Sequence, residues 1–132
     1  MLMLAISQTD KRPMYLQIME QMKRLISAGE WEPGDVIPSI RQLAVEAGVS
    51  VITVKRAYLE LEREGVIATH QGKGSYVTSD SRVRTRIRER ELAQHVEQAV
   101  RSAALLGLSP ADLVKRIRAT YDRVVELEKE SA

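Results

Sequence analysis

Gly48-Val49-Ser50 restricts the fold more than any other stretch, because one helix must stop and another start within three residues. Upstream, Ser39 followed by Gln42 is an S-x-x-Q capping box. Ile40, Leu43 and Ala44 then recur on one helical face, which predicts a helix of about nine residues. Gly48 supplies the positive φ that a helix C-terminus needs, and Val49 is placed to plug the angle between two helices. Ser50 restarts a helix whose apolar side is Val54, Ala57, Tyr58 and Leu61. Two helices joined this tightly make a helix-turn-helix. Ser50, Val51, Ile52, Thr53, Lys55 and Arg56 are then left at the open N-terminal end of the second helix, where such a motif reaches base edges.

After Gly65 the period changes. Val66 to His70 and Ser75 to Val77 are short β-rich runs separated by Gln71-Gly72-Lys73-Gly74, which predicts a hairpin. A hairpin directly after a reading helix is a wing, with His70, Gln71, Gly72 and Lys73 at its tip. Gly72 there lets the backbone come close to a phosphate or the minor groove. Before the motif, Pro13 suits a first helical turn, and Tyr15, Ile18, Met19, Met22, Leu25 and Ile26 form a stripe ending at Gly29. Leu4 and Ile6 suggest a short strand leading to a turn at Asp10-Lys11-Arg12. Trp31, the single tryptophan, is expected as a lid on the core.

Pro13-Met14-Tyr15-Leu16-Gln17-Ile18, Pro33 to Ala44, Gly48-Val49-Ser50, Thr53-Val54, Ala57-Tyr58, Leu61-Glu62 and Gln71-Gly72-Lys73-Gly74 together resemble the GntR family of bacterial transcription regulators. The resemblance covers residues 13 to 78. It implies a winged helix-turn-helix and double-stranded DNA as partner. With only some fifty residues after the wing, the chain looks like the short, YtrA-type subgroup, whose tail is a two-helix dimerisation element. The resemblance also places Arg41, in the family's Pro-Ser-x-Arg motif, together with Ser39 and Lys73 at phosphates, and Thr53 and Lys55 toward DNA. One departure stands out. Where many members have an arginine just after the Ser/Thr cap, this chain has Val51 followed by Ile52. These side chains either pack on the turn or meet thymine methyl groups.

Charge supports a DNA partner by its placement rather than its sum. The net charge is +2, and residues 1–78 hold nine basic and nine acidic side chains. Arg41, Lys55, Arg56 and Lys73 nevertheless surround the reading head, while Glu60, Glu62 and Glu64 lie at the far end of its helix. There is no cysteine, so disulfide and thiol chemistry are excluded and a reducing cytoplasm is compatible. No apolar run reaches the length of a membrane span, and no membrane partner is expected.

Beyond the polar break Thr78-Ser79-Asp80-Ser81, arginines stand at 82, 84, 86, 88 and 90. They fit either a solvated helix start or phosphate contacts flanking the wing. Leu92, Val96, Ala99, Val100, Ala103 and Leu106 then keep the helical period up to Gly107. Ser109-Pro110-Ala111-Asp112 restarts a helix striped by Leu113, Val114, Ile117, Tyr121, Val124 and Val125. Two helices cannot bury both stripes against each other. Roughly half a dozen aliphatics would stay wet at ~1.5–3 kcal/mol each. A second copy removes that loss, so Leu92, Val96, Val100, Ala103, Leu106, Leu113, Ile117, Tyr121 and Val124 are expected to form a homodimer contact.

The predicted class is therefore mainly α (α+β). It comprises a winged helix-turn-helix over residues 1–78, then a linker and two-helix dimerisation hairpin over 79–132. No catalytic site, metal or cofactor is expected: His70 and His95 fit no metal-ligand spacing, and Gln71-Gly72-Lys73-Gly74 is too short for a phosphate-binding loop. The expected function is sequence-specific regulation of transcription, as a repressor on a palindromic operator. A winged-helix protein-interaction module and a ligand sensor acting through the helical tail remain open. Whether a small-molecule effector binds is likewise left open by the sequence.

Overall fold

A computed structural model describes residues 6, 7 and 9–131. The expected strand at Leu4 to Ile6 lies largely outside them. Five helices and one hairpin follow in the order α1 (Met14–Ser27), α2 (Ile40–Ala47), α3 (Val51–Arg63), β1 (Ile67–His70), β2 (Gly74–Val77), α4 (Ser81–Leu105) and α5 (Pro110–Ser131). The chain forms two compact units, Met1–Glu89 and Arg90–Ala132.

Local chemistry sets the ends of α2 and α3. The Ser39 hydroxyl accepts from the Gln42 backbone N–H, and the Gln42 side chain accepts from the Ser39 N–H, so the capping box is complete. Gly48 is left-handed at φ 67°, ψ 35°, which closes α2 without a Cβ penalty. Two residues later the Ser50 side chain accepts from the Thr53 N–H and opens α3.

The core of the first unit joins α1, α2, α3 and the hairpin. Ile18, Met22, Ile26, Leu43, Val54, Leu61 and Ile67 are its fully buried large side chains, and Trp31 and Val49 pack against it. Every apolar position expected of α3 is buried. The Tyr58 hydroxyl donates to the Pro38 carbonyl at 2.6 Å, tying α3 to the segment that launches α2. Lys23 and Glu64 pair at 2.9 Å between α1 and the end of α3.

The wing is an antiparallel pair with Ile67 opposite Val77 and His70 opposite Gly74. Its outer edge is covered: Gly34 and Ile37 donate to the Val77 and Ser75 carbonyls, and Val77 donates to Asp35. Val36 thereby forms a bridge with Tyr76. The segment after Pro33 acts as a third rung, leaving β2 no free hydrogen-bonding edge there.

The segment expected as a linker is short. Thr78 donates to the Gly65 carbonyl, and the Asp80 carboxylate accepts from the Arg82 N–H at the start of α4. Val83 and Ile87 are buried with the winged-helix core, so the first unit runs on to Glu89. Arg84 donates to the Trp31 carbonyl and the Glu32 carboxylate, and Arg88 to the Ser27 carbonyl. Two of the five alternating arginines therefore fasten α4 to the turn after α1, which neither sequence reading anticipates.

In the second unit, Gly107 at φ 70° ends the turn after α4. Ser109 and Asp112 exchange backbone-to-side-chain bonds of 3.1 Å each, a second capping box. The backbone and hydroxyl of Ser109 hold the Asp112 carboxyl below its ordinary value. No residue of α5 is buried.

Candidate nucleic-acid interface

The first turns of α3, the start of α2 and the hairpin tip carry the twelve residues singled out for DNA. Ser39 and Arg41 stand at the start of α2, and Arg41 is exposed without a partner among the described residues. The Ser39 hydroxyl is occupied by its cap. At the start of α3, Ser50 is likewise a cap, and its Oγ lies 2.8 Å from the Thr53 hydroxyl. Thr53 is half-buried and offers less polar reach than its sequence position suggests.

Val51 is 46% exposed and Ile52 80% exposed, and neither belongs to the buried core cluster. Lys55 is exposed and unpaired among the described residues, whereas Arg56 has a partner the sequence does not reveal. Its guanidinium carbon lies 4.0 Å over the Tyr15 ring, and Nη2 donates to the Tyr15 hydroxyl at 3.4 Å.

On the wing, Gln71, Gly72 and Lys73 are exposed at the tip, and the Lys73 N–H bonds the His70 carbonyl to close the turn. Gly72 has φ 84°, a conformation that favours glycine. His70 is stacked on Tyr76, with ring centroids 5.1 Å apart, so its ring braces the hairpin.

The sequence reading misses Gln17. It is only 3% exposed; its side-chain oxygen accepts from the Ser7 N–H, and its amide donates to the Ser7 and Arg12 carbonyls. This amide pins the segment before α1. A glutamine beside an apolar stripe gives no sign of such a role.

In the second unit, Leu92, Val96, Val100, Leu106, Ile117, Tyr121 and Val124 are exposed and Leu113 is half-buried. Ala103 is 6% exposed, enclosed by its own chain, and has almost no surface to give a partner. Along α5 the apolar positions line an open groove bordered by Arg116 and Glu128. No group of acidic and histidine side chains among the described residues is arranged to hold a metal. No helix among them is long and apolar enough to cross a membrane.

The model of the family described as "Bacterial regulatory proteins, gntR family" matches residues 14–77. The chain is 42% identical over 80 residues to the HTH-type transcriptional repressor YtrA of Bacillus subtilis (strain 168), a match spanning 61% of this chain and 62% of that protein. Among solved structures, a GntR family transcriptional regulator from Listeria monocytogenes is similar with a TM-score of 0.75 and 31% identity, over 83% of this chain and 96% of that one. AraR(DBD) in complex with operator ORX1 is similar with a TM-score of 0.54 and 26% identity, over 59% of this chain and all of that one. The relatives are transcription regulators rather than enzymes. With the family's model matched from α1 to the end of the wing, and a family member matched over nearly its whole length, the chain belongs to the GntR family of bacterial regulatory proteins.

Proposed function

We propose that this chain acts in the cytoplasm as a homodimeric repressor, binding a palindromic operator and occluding a promoter. The observation that carries the reading is the open N-terminal half of α3. Val51, Ile52 and Lys55 project there without partners, in a unit that also exposes Arg41 on α2 and Lys73 on the wing. In a helix-turn-helix this end of the second helix enters the major groove, while cations on the neighbouring elements contact phosphates and fix the register. Ser39, Ser50 and Thr53 sit beside phosphates with their hydroxyls shared with caps, and Gln71, Gly72 and Lys73 follow the adjacent backbone.

Dimerisation through residues 79–132 is supported by the apolar surface of α4 and α5. Leu92 is 63% and Tyr121 67% exposed, and no side chain of α5 is fully buried within its own chain. A single soluble chain rarely leaves so continuous an apolar face wet. A second copy covers it symmetrically, and a two-fold protein matches an operator of two inverted half-sites. The repressor role is supported by the similarity to the Bacillus transcriptional repressor YtrA.

Selection of bound sequences from a random duplex pool tests this reading. The expected product is an inverted repeat whose binding weakens steeply with salt. Recovery of no enriched sequence would instead favour a winged helix that binds protein.

A further inference from the structure

Resting on the proposed reading of α3 as the DNA-reading helix, we propose that its sequence preference is set by methyl contacts. In this reading Ile52, flanked by Val51, packs on the 5-methyl groups of thymine in the major groove. Arg56 serves as a brace rather than a base reader.

The polar side chains of the first turns are largely committed elsewhere. The Ser50 oxygen caps α3 and the Thr53 hydroxyl lies 2.8 Å from it. The Arg56 guanidinium lies on the Tyr15 ring and donates to its hydroxyl. A bidentate approach to guanine would require the guanidinium to leave both the ring face and the hydroxyl. Lys55 is a point charge, suited to a phosphate as well as to a base.

What remains at the leading end is apolar. Ile52 is 80% exposed and stands outside the cluster of side chains packed on the core. A β-branched residue has restricted rotamers, so its methyls are presented at nearly fixed positions with little entropy to lose on contact. In the major groove only thymine among the four bases carries a methyl group. An exposed isoleucine there favours thymine by burying apolar surface on both sides, without a hydrogen bond.

Deoxyuridine lacks that methyl and keeps thymine's pairing and hydrogen-bonding groups. It therefore isolates the contact. The experiment uses the full chain and the duplex recovered by selection, with thymines replaced by deoxyuridine. Each lost methyl contact is expected to weaken binding about fourfold, and a symmetric pair about fifteenfold. The Ile52→Ala variant should bind the thymine duplex more weakly and no longer distinguish it from the deoxyuridine duplex. Its exposed position leaves the fold intact, which an unchanged thermal midpoint verifies. Replacing the same T·A pairs by 5-methylcytosine·guanine, which restores a methyl at the same place, should bind better than cytosine·guanine.

Equal affinity of the wild type for thymine and deoxyuridine duplexes overturns the methyl reading while leaving DNA binding intact. An undiminished thymine preference in Ile52→Ala also overturns it. Failure to recover any preferred duplex overturns the DNA-binding reading, and this one with it.

Discussion

Tyr58→Phe tests how α3 is held at its angle, and the answer is expected to change with pH. The phenol is almost fully buried and donates at 2.6 Å to the Pro38 carbonyl, just before the cap of α2. Phenylalanine fills nearly the same volume but leaves that carbonyl without its donor, at a cost of ~1 kcal/mol near pH 8. Burial, assisted by the negative charge of Glu46, raises the Tyr58 pKa well above its ordinary 10.0. The unfolded chain therefore loses this proton first as the solution becomes alkaline. The stability contributed by the protonated phenol is fully present below about pH 10 and is lost as the pH rises through the folded value. Near pH 11 ionisation of the unfolded state has removed roughly 1.4 kcal/mol from the wild type and nothing from the variant at this position.

The two proteins should thus exchange order, the wild type being more stable near pH 8 and level with or below the variant near pH 11. Urea unfolding followed by the fluorescence of Trp31, half-buried against the core, measures the difference. The other tyrosines and the lysines titrate in both proteins and cancel. A stability gap that stays constant from pH 8 to pH 11 would refute the buried, donating phenol.

Gly48→Ala should lose ~1–2 kcal/mol in a thermal or urea melt, because φ 67° is strained for alanine although open space surrounds the added Cβ. Gly48→Asn should lose clearly less, and equal losses would point to a packing cause. Arg41→Ala should leave stability within about 0.5 kcal/mol. It should also lower the slope of log affinity against log salt by about one unit per chain, as titrations at several salt concentrations would register. Ile117→Glu on the exposed face of α5 should sediment as a monomer at micromolar concentration while keeping its helical circular dichroism. A variant that remained dimeric would move the contact elsewhere.

Much of the fold is legible in the sequence because it is determined locally. The boxes at Ser39–Gln42 and Ser109–Asp112, the left-handed Gly48 and the buried stripe of α3 are all short-range chemistry, and they stand where the spacing places them. Long-range pairings leave no periodic trace. Nothing near Arg56 announces Tyr15, nothing near Tyr58 announces Pro38, and the segment at Gly34 carries no mark of pairing with β2. Val83 and Ile87 are missed for another reason. They are a single i, i+4 apolar pair set among arginines, and the alternating charge hides a buried face. In the candidate interface, position along α3 is legible but availability is not, since the sequence cannot say that Thr53 and Arg56 are engaged while Ile52 stands free.

The proposed homodimer has two copies of this chain gripping one symmetric site, a stoichiometry that the mass of the DNA complex reports. Sedimentation or native mass measurement of the chain with its selected duplex should give two chains per duplex, with a complex on a single half-site markedly weaker. One chain per duplex, bound equally well to a half-site and to the full inverted repeat, would contradict the account.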